Sequence, residues 1–158
     1  MARVLIVGCG CRGRALAEAL VADGHAVRGT TRGAALAEIE AAGAEAVVAD
    51  PDRLGTIMTQ LAGVTAVCWL LGSVSGPSAA DLHGPRLETL LERLVDTPVR
   101  GFVYEAAGSV EPALLASGAE AVRDASERWR LPAEVVEADP DDHPAWLSAT
   151  TAAVGRLL

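Results

Sequence analysis

The sequence contains no lysine and no asparagine, and all thirteen of its Lys and Arg residues are arginine. The missing lysine excludes Schiff-base chemistry, a phosphate-loop lysine and any Tyr-x-x-x-Lys proton relay. Aromatic residues are scarce, with one tyrosine, Tyr104, one phenylalanine and three tryptophans. The three cysteines, Cys9, Cys11 and Cys68, give no disulfide framework. Cys9 and Cys11 fall in a glycine-rich turn and Cys68 in an apolar run, so all three are expected to be small packing residues. No Cys or His lies at a companion ligand spacing, so no metal is expected. No apolar run is long enough to span a bilayer and the first residues lack a signal-peptide layout, so a membrane is not an expected partner. The formal charge of −8 argues against nucleic acid, because phosphate binding calls for a basic surface.

What the sequence does have is a strong opening. Arg3-Val4-Leu5-Ile6-Val7 is a short apolar, β-branched run, followed by Gly8-Cys9-Gly10-Cys11-Arg12-Gly13 at the spacing G-x-G-x-x-G. A helical pattern begins immediately behind it. In a dinucleotide-binding unit Gly8 makes the tight strand-to-helix turn and Gly10 lets the backbone approach a pyrophosphate. Gly13 then lets the helix pack closely on the strand. The free N–H groups and positive dipole end of that helix face the phosphates.

With 158 residues, 51% of them hydrophobic, the chain is long enough for one well-buried domain spanning 1–158. Met1 leads almost directly into the first strand, so nothing is expected to precede the domain, and a cytoplasmic location is expected. The chain then alternates regularly. A helix over 14–22 ends at Asp23-Gly24, and strand two covers 25–31. A second helix over 34–42, closed by Gly43, leads to strand three over 45–49. Asp50-Pro51-Asp52 is read as the cap of a third helix reaching about Ala62. Residues 64–71 form a near-continuous apolar strand, as expected of one buried on both faces. After a Gly/Ser/Pro loop comes a helix over 80–95, whose first turn Gly84-Pro85 threatens to break. Strand five covers 99–107. Pro112 opens a helix with Leu115, Ala119, Val122, Ala125 and Trp129 on its buried side. Strand six covers 133–138, and a last helix 145–158. Six strands alternating with six helices predict an α/β, doubly wound parallel sheet (Rossmann fold) in the order 3-2-1-4-5-6, with helices on both faces.

Strand two ends in Thr30-Thr31-Arg32, where an NAD-selective site usually places an acidic residue for the ribose 2′-hydroxyl. Hydroxyls and a guanidinium favour a 2′-phosphate instead, which predicts NADP as cofactor, with NAD the alternative and Arg12 and Arg14 as helpers. Asp50, after strand three, is either an adenine contact or a helix cap. Gly72 and Ser73 end strand four at the carboxyl edge of the sheet, beside the crevice where ligands bind. Trp69 just inside that edge is read as core. His25 and His83 are read as structural, and Glu137 to His143 as a solvated turn with Asp caps. Glu105 and Glu111 lie near the crevice mouth, where a carboxylate can act as a general acid or base; a surface or capping role is the simpler reading.

The glycine turn, Gly24-His25-Ala26-Val27 leading to Thr-Thr-Arg, and Phe102-Val103-Tyr104 on strand five resemble the atypical short-chain dehydrogenase/reductases, most closely their NAD(P)H-binding, epimerase-like branch. The resemblance covers nearly the whole chain, although only the glycine motif is specific. It implies a Ser or Thr after strand five and a Tyr-x-x-x-Lys on the next helix. Here the segment reads Tyr104-Glu105-Ala106-Ala107-Gly108-Ser109-Val110-Glu111-Pro112. The standard catalytic set is absent, and Ser109, Tyr104 and Glu111 are the remaining candidates. The family's extended members add a substrate region after strand six. This chain stops at its final helix, so a small-molecule substrate is expected to meet loops 72–80 and 108–112, or a partner subunit. Self-association through the helices around 87–94 and 113–129 is expected, as in such relatives. Two functions follow: an NADP-dependent oxidoreductase-like protein, or a non-enzymatic dinucleotide-binding redox sensor acting through a partner protein.

Overall fold

The computed structural model describes residues 2–158; Met1 lies outside them. Within those residues six strands form one sheet: β1 (Arg3–Val7), β2 (Ala26–Thr31), β3 (Glu45–Val48), β4 (Ala66–Trp69), β5 (Phe102–Glu105) and β6 (Ala133–Val136). Their order is β3-β2-β1-β4-β5-β6, and all neighbours pair in parallel. This is the predicted doubly wound topology. The seven described helices are α1 (Cys11–Ala22), α2 (Leu36–Ala41), α3 (Leu54–Met58), α4 (Ala79–Leu82), α5 (Pro85–Leu94), α6 (Pro112–Trp129) and α7 (His143–Leu157).

The pleat divides the core into two. Successive side chains of a strand point to opposite faces. Leu5 and Val7 therefore join Trp69, Phe102 and Tyr104 under α5 and α6. Val4 and Ile6 join Cys68 and Val103 on the other face, with Leu16 and Leu20 of α1 and Trp146 and Val154 of α7. Each fully buried Leu, Ile or Val contributes about 1.5–3 kcal/mol of burial free energy. Both faces of the central strands are covered, which is why β1 and β4 read as unbroken apolar runs.

Several boundaries differ from the sequence expectation. β4 and β5 are shorter than the runs 64–71 and 99–107, because Val64, Leu70, Leu71 and Val99 are buried outside the paired ladder. The glycine turn supplies the first turn of α1, which begins at Cys11 rather than at Arg14. Asp50 does not cap α3. Its Oδ1 accepts the Asp52 N–H at 2.9 Å in a local turn, and the helix starts only at Leu54, behind Arg53. The expected helix over 80–95 is two helices, α4 and α5. They part at His83-Gly84, where a Cβ on Gly84 would lie 2.8 Å from the Ala80 carbonyl oxygen and Pro85 starts the next helix. Asp142 caps α7, accepting from the Ala145 N–H at 3.2 Å, so that helix starts two residues before the expected 145.

Candidate functional site

A cleft of about 380 Å³ opens at the carboxyl edge of the sheet, over the turn between β1 and α1. Gly8 takes φ +86°, and a Cβ there would lie 2.5 Å from the Leu70 carbonyl oxygen, so only glycine fits the turn. A Cβ on Gly13 would lie 3.0 Å from the Gly8 carbonyl oxygen and 3.3 Å from Ile6 Cγ2, which is the close helix–strand approach. Gly10 is different: a Cβ there would meet nothing within 4 Å. Its backbone faces open space at the head of a twelve-residue helix.

That helix end is electropositive. α1 has no acidic residue in its first turn, yet carries Arg12 and Arg14 there. Arginines beside the positive end of a helix dipole are unfavourable unless something negative compensates them. Arg14 is partly held locally, with Nη2 3.3 Å from Cys11 Sγ and Nη1 3.5 Å from the Cys9 carbonyl oxygen. Arg12 Nε is buried and has no hydrogen-bond partner among the described residues.

Ten of the residues selected from the sequence line the cleft: Gly8, Cys9, Gly10, Cys11, Arg12, Gly13, Thr30, Thr31, Arg32 and Ser73. Pattern reading missed the apolar wall of Ala35, Ala49, Pro51, Leu70, Leu71 and Val74. These are strand ends and loop starts whose exposure depends on the order of the strands. Asp50 does not line the cleft; its carboxylate lies 3.4 Å from Arg32 Nε. Arg32 also reaches Asp52 at 3.1 Å, and Asp52 in turn pairs with Arg86 of α5. Thr31 Oγ1 accepts the N–H groups of Gly33 and Ala35, shaping the loop behind β2.

The cysteines divide. Cys9 and Cys68 are buried, and burial pushes their thiols up to about 11 and about 12. Cys11 is exposed in the cleft, contrary to the packing role expected of all three. The residues beyond β4 and β5 are knitted shut. A Cβ on Gly72 would lie 2.1 Å from the Ala107 carbonyl oxygen, and one on Gly108 2.1 Å from that of Gly72. Gly72 is therefore placed behind the cleft wall, its N–H donated to Glu105 Oε1 at 2.8 Å.

The weak catalytic candidates are not gathered at the cleft. Tyr104 is fully buried; its hydroxyl donates to His83 Nδ1 at 2.6 Å, while His83 Nε2 donates to the Leu71 carbonyl at 2.8 Å. This pairing fixes His83 as the neutral Nε2–H tautomer. Burial raises the phenol pKa above its usual value and lowers that of the imidazole. Ser109 is exposed and uses its backbone N–H on Ser73 Oγ at 3.3 Å. Glu111 is exposed at the N-cap of α6 but makes no side-chain cap bond. Glu105, read as a surface or capping residue, is fully buried, and desolvation raises its carboxyl pKa.

Together, the topology and the glycine turn define a doubly wound Rossmann fold. No family model matches the sequence, and no curated protein matches it. Solved structures do match it in fold. A short-chain dehydrogenase from Streptomyces avermitilis is 20% identical with a TM-score of 0.60, over 98% of this chain and 78% of that one. A short-chain dehydrogenase/reductase superfamily protein from Agrobacterium tumefaciens, with bound NAD, is 22% identical with a TM-score of 0.67, over 84% of this chain and 48% of that one. UDP-glucuronic acid 4-epimerase from Bacillus cereus, in complex with NAD, is 14% identical with a TM-score of 0.63, over 84% of this chain and 55% of that one. The chain spans about half the length of that epimerase and of a UDP-N-acetylglucosamine 4-epimerase from the same organism, at 55% and 53%. None of the described helices is long and apolar enough to cross a membrane.

Proposed function

We propose that the cleft binds a nicotinamide dinucleotide, NADP(H) in preference to NAD(H), in an oxidoreductase-like protein. The observation that carries this reading is the helix head at Gly10. It combines a backbone at Gly10 that faces open space, the first N–H groups of α1 from Cys11 to Gly13, and two arginines, of which only Arg12 has a carboxylate near it, that of the buried Glu105. Two of the similar structures hold bound NAD, which supports the dinucleotide over a simple phosphate. In this assignment the residues from Gly8 to Gly13 hold the pyrophosphate, and the end of β2 meets the adenosine ribose.

The preference for NADP(H) rests on Thr31-Arg32 at the end of β2, a strand end that carries hydroxyls and a guanidinium rather than a carboxylate of its own. Arg32 is shared with Asp50 and Asp52, so a 2′-phosphate competes with two carboxylates for it. The preference is accordingly modest, about tenfold or about 1.4 kcal/mol. Titration of the protein with NADPH and NADH tests this directly. Arg32→Ala is expected to bring the NADPH affinity down to the NADH value and leave NADH unchanged. Equal losses for both nucleotides would remove the 2′-phosphate assignment.

When bound, the nicotinamide supplies the hydride chemistry, and the protein supplies orientation. A second use, holding the dinucleotide as a redox sensor for a partner protein, is favoured by one observation: Tyr104 and Glu105 are sealed into the core rather than presented to a substrate. Turnover of a panel of small carbonyl compounds with NADPH supports the enzyme; tight binding with no turnover supports the sensor.

A further inference from the structure

Glu105 is the one acidic side chain closed completely into the core of the described chain. An unpaired carboxylate there is strongly disfavoured, so its surroundings must supply compensation. They do so from three distant parts of the sequence. Oε1 accepts the Gly72 N–H at 2.8 Å, behind β4. Oε2 accepts the indole Nε1–H of Trp146, in α7, also at 2.8 Å. The third element is Arg12 of α1, whose Nε lies 3.7 Å from the same Oε2. The Arg12 guanidinium also sits 5.8 Å from the centre of the Trp146 ring, within cation–π range.

This arrangement satisfies the carboxylate and leaves the arginine unfinished. Both oxygens of Glu105 have a neutral N–H donor, so Arg12 is held by charge and by the ring face rather than by hydrogen bonds. Nε is buried beside the carboxylate, the two Nη groups make no hydrogen bond among the described residues, and the side chain lines the cleft about one-third exposed. From the first turn of α1, where the helix dipole opposes it, Arg12 keeps its place through these two partners.

Building on the proposed dinucleotide site, we propose that Glu105 and Trp146 are positioning residues that hold Arg12 toward the pyrophosphate and thereby tie occupancy of the cleft to α7. The carboxylate sets the position of the guanidinium, and the indole fixes the carboxylate while supporting the guanidinium from below. A pyrophosphate then receives charge-assisted hydrogen bonds from a group whose orientation is already set. Neither Glu105 nor Trp146 touches the ligand, so their effect on binding passes through Arg12.

That dependence is tested by a double-mutant cycle read as affinity. NADPH affinity is measured for the wild type, Arg12→Ala, Glu105→Gln and the double variant, with melting temperature recorded for each. Arg12→Ala is expected to weaken NADPH about tenfold, the usual order for one charge-assisted bond. Glu105→Gln is expected to weaken it about fivefold in the wild-type background and by less than about twofold once Arg12 is gone. Adenosine 2′-monophosphate, which lacks the pyrophosphate, is expected to bind wild type and Glu105→Gln alike. If Glu105→Gln does not fold, Trp146→Phe takes its place in the cycle with the same expectation. An equal loss in both backgrounds, an equal loss for adenosine 2′-monophosphate, or no loss at all overturns the positioning role while leaving the dinucleotide site standing. Absence of NADPH binding by the wild type removes the site itself, and the positioning role with it.

Discussion

The two ends of the carboxyl edge of this sheet use similar residues in opposite ways. Above β1 the turn leaves one glycine open: Gly8 and Gly13 are tightly packed, but Gly10 faces empty space, and Arg12 and Arg32 stand at an open rim. Beyond β4 and β5 the glycines remove room, with Gly72 and Gly108 interlocked at contact distances that no Cβ could enter. The titratable groups follow the same division. Those at the β1 end reach the cleft, whereas Tyr104 and Glu105 are spent on internal hydrogen bonds. A residue type by itself does not separate a ligand site from an architectural one; what lies within 4 Å of it does.

The contrast can be broken hardest at Gly108. Its φ of +146° and the Gly72 carbonyl both forbid a side chain, so Gly108→Ala is expected to destabilise the fold by about 4 kcal/mol, the sum of backbone strain and overpacking. A urea midpoint within error of wild type would show that the β4–β5 end is not locked. Next comes Tyr104→Phe, which leaves His83 Nδ1 buried without a donor. A loss of about 2 kcal/mol is expected by chemical denaturation, with NADPH affinity unchanged. A change in affinity would instead mean that Tyr104 serves the cleft.

A smaller effect is expected from pH. Burial lowers the His83 pKa below its ordinary 6.5, so the folded chain takes up the proton less readily than the unfolded one. Stability is full above about pH 6.5 and is lost as the pH falls from that value toward the lowered one. Glu105 acts in the opposite sense, because its raised pKa favours protonation in the folded state as the pH falls. His83→Gln removes the titrating ring, and with it the His83 share of the slope. Denaturant midpoints at pH 7.5 and 5.5 should therefore differ less in His83→Gln than in wild type, since Glu105 is common to both. Parallel slopes would place the titration elsewhere.

The topology was legible because it rests on periodicity: apolar strands alternate with helices, and a parallel sheet admits few connections. The glycine turn was legible because its three positions have fixed spacing and each has a steric reason. Glu105 was not, because a glutamate at a strand end ordinarily reads as surface. The one clue is that it ends a run buried on both faces, where a carboxylate needs partners. Those partners, Arg12, Gly72 and Trp146, lie 93, 33 and 41 positions away and share no local pattern. Asp50 was misread for the opposite reason. Its local Asx turn and a helix cap use the same residue type before the same kind of segment. His83 shows a third case: its structural role was legible, but its pairing with Tyr104 depends on the break between α4 and α5.

Gly10 is the one glycine of the motif that the fold itself does not require. A Cβ at this position meets nothing within 4 Å of the protein. Calorimetric titration of wild type and Gly10→Ala with NADPH, alongside their melting curves, therefore separates ligand from architecture. The expected result is nearly the same stability, within about 0.5 kcal/mol as a weaker N-cap allows, together with at least about a tenfold loss of NADPH affinity. An alanine variant that binds NADPH as well as wild type, or a wild type that binds none, would contradict the assignment of this cleft to a dinucleotide.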